Sequence, residues 1–323
     1  MAIGEKLEYL NDTKTAIKGA LQNRGVTVSD TDTFRSYADK VGQIGETVEK
    51  TKFGASVDTF IGDINENGML QRTTWTGALN FAGVKTIDEK GMYASFYGLE
   101  GITSVDLSSL QSIGGNGMDS AFYSCKGITS VDLSSLQSVG AQSMNSAFYG
   151  CSGITSVDLS SLRSVDTQGM YYAFYACTNL TSIDLSSLRS VDAQGMHYAF
   201  STNRALTSVD LSSLESVGNS GMSSAFYNCV KLTSVDLSSL QSVGAQSMNS
   251  AFYGCIVLAT ISFPSLTSVN TSSFGDASYN GTFGNCPALT EIHFRADMQA
   301  TIEAMSLYSS KFGATNATIY FDL

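Results

Sequence analysis

The chain has 323 residues with 18 Lys+Arg against 29 Asp+Glu, a formal net charge of −11, and no segment where basic residues gather, so a nucleic-acid backbone would be repelled. Its 43% apolar and 15% charged residues are enough to bury a core, and two prolines leave no room for a Pro-rich linker. No apolar run approaches the roughly 18 residues of a membrane span, so neither nucleic-acid binding nor membrane insertion is expected.

In chain order, residues 1–45 come first and carry helical spacing. Ile3, Leu7, Leu10, Ile17 and Leu21 follow a 4-3 pattern with Lys14 interrupting the seam, and Arg24-Gly25 offers a stop. Asp30 or Thr31 can cap a second helix whose Phe34, Tyr37, Ala38 and Val41 share one face. The pattern predicts a helical hairpin, acting either as a cover for the open end of the repeat region or as an attachment and oligomerisation module. About three heptads are too short for a free-standing coiled coil, so a homo-oligomer would need contacts elsewhere. Met1 to Leu10 is charged and amphipathic, without the apolar stretch of a secretory signal, and none is expected in this chain. Residues 46–75 alternate over Thr59 to Ile64 and turn at Asn65-Glu66-Asn67-Gly68, which predicts a β-rich N-terminal cap.

Residues 76–290 are repetitive. Ile102 to Val257 divides without insertion into six units of 26 residues, starting at Ile102, Ile128, Ile154, Leu180, Leu206 and Leu232. A worn copy precedes them, with Leu79, Val84, Ile87, Met92 and Phe96 one period before Val105, Leu110, Ile113, Met118 and Phe122. An expanded copy extends from Leu258, since Cys255 and Cys286 are 31 residues apart. Roughly eight coils are predicted, each unable to bury its own apolar face but able to do so against its neighbours. Val105 and Leu107 alternate with Ser104, Asp106 and Ser108, which is strand period with the apolar side chains inward. Leu110, Ile113, Met118, Phe122 and Cys125 fill the rest of the cross-section. In residues 291–323, Ala296 to Leu307 reads as a helix and Thr318-Ile319-Tyr320-Phe321 as a strand, together an α/β C-terminal cap.

The predicted fold is therefore a repeat solenoid with a parallel β ladder. The leucine, the LDLS-like strand and the AFxxC turn resemble the BspA-type leucine-rich repeats of bacterial surface proteins, over about residues 76–290. That resemblance implies a non-enzymatic binding protein or adhesin acting at a bacterial cell surface. LEYLNDTKTAIKGALQNRGVTVSDTDTFRSYADKVGQI is similar to the N-terminal module of tail-associated structural proteins of phages and prophages from gut Gram-positive bacteria. The closing IHFRADMQATIEAMSLYSSKFGATNATIYFDL is similar to the last segment of repeat proteins from the same setting. These likenesses imply a tail-fibre-like, virion-associated protein that docks on other tail proteins through residues 1–45 and recognises a surface glycan or protein. Assembly in the cytoplasm and release by lysis would explain the lack of an export signal, and the surface adhesin is the alternative.

No residues suggest catalysis, a cofactor or a metal. Cys125, Cys151, Cys177, Cys229 and Cys255 share one repeat position, where Asn203 stands in the fourth unit, and Cys286 matches them in the expanded copy. There is no CxxC pair, and parallel neighbouring side chains disfavour bridging, so buried reduced thiols are expected. His197 and His293 are the two histidines, far apart in sequence, and no nucleophile-elbow, zinc or phosphate-loop motif occurs. Gly114, Gly140 and Gly218 read as corners that need positive φ. Asp106, Asp132, Asp158, Asp184, Asp210 and Asp236 form an outward row, either a solvated ladder tied by its serines or a calcium site.

Positions that vary between near-identical copies are those where packing does not dictate the residue. Asp119-Ser120, Asn145-Ser146, Ser223-Ser224 and Asn249-Ser250 become Tyr171-Tyr172 and His197-Tyr198 in units three and four. Arg163 and Arg189 vary nearby. Stacked coils would gather these aromatics into one cluster, the candidate partner-binding site, with neutral surface drift as the plain alternative. Tyr97, Tyr123, Tyr149, Tyr175, Tyr227 and Tyr253 form a second, regular row expected to be coil packing.

Overall fold

The structure, a computed structural model, describes residues 52–53, 77–81, 83–275 and 281–323. The predicted hairpin over 1–45 and most of the cap over 46–75 lie outside the described residues. Numbering the six regular units as coils one to six, each contributes one strand to a long parallel sheet, and the worn copy before them contributes a seventh. The seven strands are Gly77–Asn80, Ile102–Asp106, Ser130–Asp132, Ser156–Asp158, Ser182–Asp184, Ser208–Asp210 and Ser234–Asp236, each beside its neighbour in sequence. The 26-residue period sets the register directly, pairing Ser130 with Ser156, Val131 with Val157 and Asp132 with Asp158. A second parallel ladder of six short strands runs from Ser138–Val139 to Ser268–Val269. Lys52–Phe53 pairs with Thr86–Ile87 at the N-terminal side.

The predicted C-terminal cap continues the coil. Thr260–Phe263, Glu291–Phe294 and Thr318–Phe321 form a parallel three-stranded sheet, so the expected strand near the end is a further rung. The helix between them is shorter than predicted: a 3-10 turn at Ala296–Met298 leads into Gln299–Glu303.

Inside, each coil repeats the same fully buried set, for coil one Leu107, Leu110, Met118, Ala121, Phe122 and Cys125, all 0% exposed. The phenylalanines make a continuous column: Phe96, Phe122, Phe148, Phe174, Phe200, Phe226, Phe252 and Phe283 stack nearly parallel with centroids 5.0–6.0 Å apart. Burying each ring contributes about 2–3 kcal/mol by area. An insertion or deletion of part of a coil is costly, because it shifts one ring out of the column and breaks stacking on both sides.

The third side of each coil is a run of successive tight turns. Along it, backbone N–H groups alternate between two acceptors. Ala121 donates within its coil to Met118 O (3.1 Å), and Phe122 donates to Ala147 O of the next coil (2.8 Å). Every fourth residue adopts left-handed φ, for example Asn116 (53°), Ser120 (54°) and Ser124 (55°), and Tyr172 (53°) and Tyr198 (54°) occupy such positions. Each costs roughly 1–2 kcal/mol, which the inter-coil hydrogen bonds offset. This corrects the expectation for the glycines: Gly114, Gly140 and Gly218 are not among the left-handed residues. At Gly114 an added Cβ would lie 2.7 Å from Glu89 N, so close approach of the preceding coil is what glycine eases there.

All six cysteines are free and buried. Each thiol donates back to a phenylalanine carbonyl of the preceding coil, such as Cys151 Sγ to Phe122 O at 2.9 Å and Cys229 Sγ to Phe200 O at 3.2 Å. Asn203 takes over that job in coil four, its Nδ2 donating to Phe174 O at 3.1 Å. The repeat position thus selects for a small buried donor, which is why Asn replaces Cys here and an aliphatic side chain does not.

Candidate functional site

The run of turns carries the varying pair, and the coil repeat places the four aromatic members side by side. Tyr172 stacks on Tyr198 at 4.8 Å with planes 1° apart, and Tyr171 stacks on His197 at 5.0 Å and 20°. Within each coil the pair meets edge to face, Tyr171 with Tyr172 at 4.7 Å and His197 with Tyr198 at 4.5 Å. Tyr172 also touches Tyr175 of the regular row at 5.4 Å. All four side chains are half-buried. A left-handed backbone at Tyr172 and Tyr198 directs them alongside each other, a conformation that the small residues Ser120, Ser146, Ser224 and Ser250 hold in the other coils.

The patch is uncharged near neutral pH. Burial lowers His197 to about 4, so its imidazole is neutral, and Nδ1 has no hydrogen-bond partner. Burial first, then the neighbouring phenols of Tyr171 and Tyr198, push the Tyr172 hydroxyl above its ordinary value. Arg163 and Arg189 are exposed but belong to a different row, at the corner before the second ladder. There Arg189 reaches Glu215 of the next coil at 3.4 Å, an exposed pair of small energetic weight. The coil geometry therefore unites Tyr171, Tyr172, His197 and Tyr198 and sets the two arginines apart from them.

The regular tyrosines stack as a ladder: Tyr97 on Tyr123 at 4.6 Å, Tyr123 on Tyr149 at 4.5 Å, Tyr149 on Tyr175 at 4.7 Å and Tyr227 on Tyr253 at 4.8 Å. Within each run the facing rings cover one another. Ser201 stands where coil four would supply a rung.

The opposite side carries the aspartate row over the long sheet, and it forms an open trough of about 860 Å³ lined by Ser104, Asp106, Ser130, Asp132 and their repeats. One oxygen of each carboxylate is engaged locally: Asp132 Oδ1 accepts the Ser134 N–H at 3.0 Å, and Asp106 Oδ1 accepts both the N–H (3.0 Å) and hydroxyl (2.7 Å) of Ser108. Among the described residues no group of three or more His, Cys, Asp or Glu is arranged to hold a metal ion. The serine-aspartate alternation was visible in the sequence, but the trough arises only when the coils stack.

The repeat matches the family model described as "BspA type Leucine rich repeat region" in six copies over residues 86–220 and 171–311, more than two thirds of the chain. The chain belongs to the BspA-type leucine-rich repeat family. BspA-type proteins are usually found at cell surfaces, and leucine-rich repeat proteins are typically non-enzymatic binders. Solved structures similar to this BspA-type chain include a leucine-rich cell surface protein from Faecalibacterium prausnitzii, 17% identical with a TM-score of 0.31, the match covering 77% of this chain and 87% of that one. A leucine-rich repeat protein from Bacteroides ovatus is 20% identical with a TM-score of 0.38, covering 74% of this chain and 64% of that one. The pneumococcal vaccine antigen PcpA is 16% identical with a TM-score of 0.29, covering 76% and 67%. Likeness at this level says nothing of function. No curated protein matches the BspA-type chain. Among the described residues no helix is long and apolar enough to cross a membrane.

Proposed function

We propose that the protein is a non-enzymatic, adhesin-like binding protein that recognises a bacterial-surface partner through the aromatic patch of coils three and four. One observation carries this reading. In a stack of near-identical coils, two consecutive ones replace small polar residues by Tyr171-Tyr172 and His197-Tyr198, and the replacements stack across the coil boundary at 4.8 and 5.0 Å. Packing does not require these rings, since serine and asparagine serve elsewhere, and half-exposed tyrosine gives apolar contact with a hydroxyl at low entropy cost. Family membership supports the surface-binding class. The tail-fibre reading leaned on residues 1–45 and the closing segment, and the family match, ending at 311, adds nothing to it; it stands behind the adhesin-like reading.

The test is binding of labelled full-length protein to a panel of intact Gram-positive gut bacteria, beside a variant carrying Tyr171→Asn, Tyr172→Ser and Tyr198→Ser. These are the residues coil two carries as Asn145 and Ser146, so the variant keeps its fold and its melting temperature within a few degrees. Loss of binding is the expected result; undiminished binding would dismiss the patch.

A further inference from the structure

The turn-run face continues past the patch on its N-terminal side, and inter-coil hydrogen bonds set the register there. Ala94 N–H donates to Asp119 O at 2.9 Å, Ser120 N–H to Asn145 O at 2.8 Å and Ser146 N–H to Tyr171 O at 2.8 Å. Tyr93, Asp119, Asn145 and Tyr171 therefore succeed one another in a single row, from the worn copy to coil three. One residue on, Ala94, Ser120 and Ser146 make a row of small side chains that ends at Tyr172. Tyr172 meets Tyr171 of the first row at 4.7 Å, and Tyr149 and Tyr175 of the tyrosine ladder at 6.2 and 5.4 Å. The small residues thus lie between two larger rows, with the stacked Tyr97, Tyr123 and Tyr149 on the far side. The result is a strip three coils long that stops at the Tyr171-Tyr172 step.

Solvent reaches this strip. Tyr93 is 55% and Tyr97 43% exposed, and Asp119, Ser120, Tyr123, Asn145, Ser146 and Tyr149 are half-buried. The equivalent side chains beyond the patch are not accessible: Ser223, Ser224, Asn249 and Ser250 are all buried. Residues 233–255 repeat residues 129–151 without a change, so one and the same sequence is covered in coil six and open in coil two.

The chemistry of the strip narrows what can lie on it. Its backbone N–H groups are engaged within the solenoid, Tyr93 with Lys90 O and Tyr123 with Ser120 O for example, so an extended peptide finds no main-chain donor. Recognition falls to side chains alone: phenol rings and hydroxyls, the Asp119 carboxylate and the Asn145 carboxamide. Ser120 Oγ donates to Asp119 Oδ1 at 2.8 Å and Ser146 Oγ to Asn145 Oδ1 at 3.0 Å, which leaves each side chain a second polar atom. Rings that take apolar C–H faces, interleaved with donors and acceptors for hydroxyls, suit a sugar chain. No Lys or Arg stands in the three rows, and Asp119 repels an acidic glycan.

We infer that the strip binds a linear, uncharged oligosaccharide laid along the solenoid axis, from Tyr93 to the Tyr171-Tyr172 step. Three coil spacings separate Tyr93 from Tyr171, ~14 Å, room for about four sugar units. This inference rests on the patch being the binding surface, extends it toward the N-terminus and names what it binds.

The experiment probes an array of linear hexose and N-acetylhexosamine oligosaccharides, disaccharide to hexasaccharide, with the full chain, Tyr93→Asn and Tyr253→Ser. Coils two and six carry asparagine at the Tyr93 position and coil four carries serine at the Tyr253 position, so both variants fold. Wild type is expected to bind a subset of the array, more tightly as the sugar chain grows to a tetrasaccharide and no tighter beyond. Tyr93→Asn weakens tetrasaccharide binding at least about tenfold, and Tyr253→Ser leaves it unchanged. An array that captures no wild-type protein overturns the inference, as does a disaccharide bound as tightly as a tetrasaccharide. Tyr93→Asn binding like wild type, or both variants weakened alike, overturns it too. On intact cells, binding lost in the triple patch variant but kept by Tyr93→Asn sinks the oligosaccharide strip and leaves the patch standing. Cell binding that survives periodate oxidation of glycans but not protease treatment does the same, pointing to a protein partner.

Discussion

Replacing Asn203 by cysteine makes coil four match its neighbours, and the sign of the effect comes from the hydrogen-bond ladder. Asn203 is 0% exposed, and its Nδ2 supplies the donor that Phe174 O needs, at 3.1 Å. Its Oδ1 is buried with no partner. A cysteine thiol makes the equivalent bond in coils two and five at 2.9 and 3.2 Å and brings no second polar atom. Removing an unsatisfied buried acceptor while keeping the donor recovers about 1–3 kcal/mol, less the somewhat weaker S–H bond. Asn203→Cys is therefore expected to stabilise by about 1–2 kcal/mol, raising the melting temperature by roughly 2–4 °C for each kcal/mol. Asn203→Ala also removes the orphan acceptor but leaves Phe174 O short, so the two effects oppose and it falls below Asn203→Cys by about 1–3 kcal/mol. Circular-dichroism melts under reducing conditions would place Cys above both Asn and Ala. If Asn203→Cys melts at or below wild type, the orphan-acceptor explanation of this coil is wrong.

Three further outcomes are expected. Denatured protein should titrate six free thiols, while native protein reacts slowly at pH 8 because burial raises the thiols, Cys125 to about 11 and Cys229 to about 12; a disulfide-linked pair would contradict this. The His197 pKa of about 4 in the fold lies below its ordinary 6.5, so between those values the unfolded chain binds more protons and stability falls as pH drops from about 6.5 toward 4. His197→Asn, copying Asn145, should flatten that slope in a pH series of melts, and an unchanged slope would place its origin elsewhere. Millimolar Ca²⁺ should leave the melting temperature unmoved, because each aspartate of the outer row already has one oxygen tied to a serine N–H, as at Asp184 and Ser186 (3.0 Å); a rise of several degrees would revive a cation site.

A strict 26-residue repeat makes register legible in advance: once Val105 and Val131 occupy the same repeat position, in-line parallel pairing is the only arrangement that keeps both inward. The same logic placed Phe122 and Cys125 in the core and brought Tyr171 beside His197. Conformations set by neighbouring coils were not legible. Left-handed φ at Ser120, Ser124 and Tyr172 goes against residue preference and is held by inter-coil hydrogen bonds, so glycine was the misleading signal. Arg163 and Arg189 vary like the aromatics, but sequence variation does not say on which side of the coil a residue sits. The gap at Ser201 was present in the row of tyrosines; the unpaired atoms beside it became visible only with every hydrogen bond in place.

A partner seated on the turn-run face of coils three and four, and not in the acidic trough, is what the proposed function requires above all. Hydroxyl-radical footprinting of the full-length protein, free and bound to a strain that captures it, tests this directly. Protection concentrated at Tyr171, Tyr172 and Tyr198, with Tyr253 and the exposed strand residues Ser130 and Ser156 unchanged, is the predicted result. Protection along the serine-aspartate strands with the three tyrosines as reactive as before would contradict it and move the binding surface to the trough.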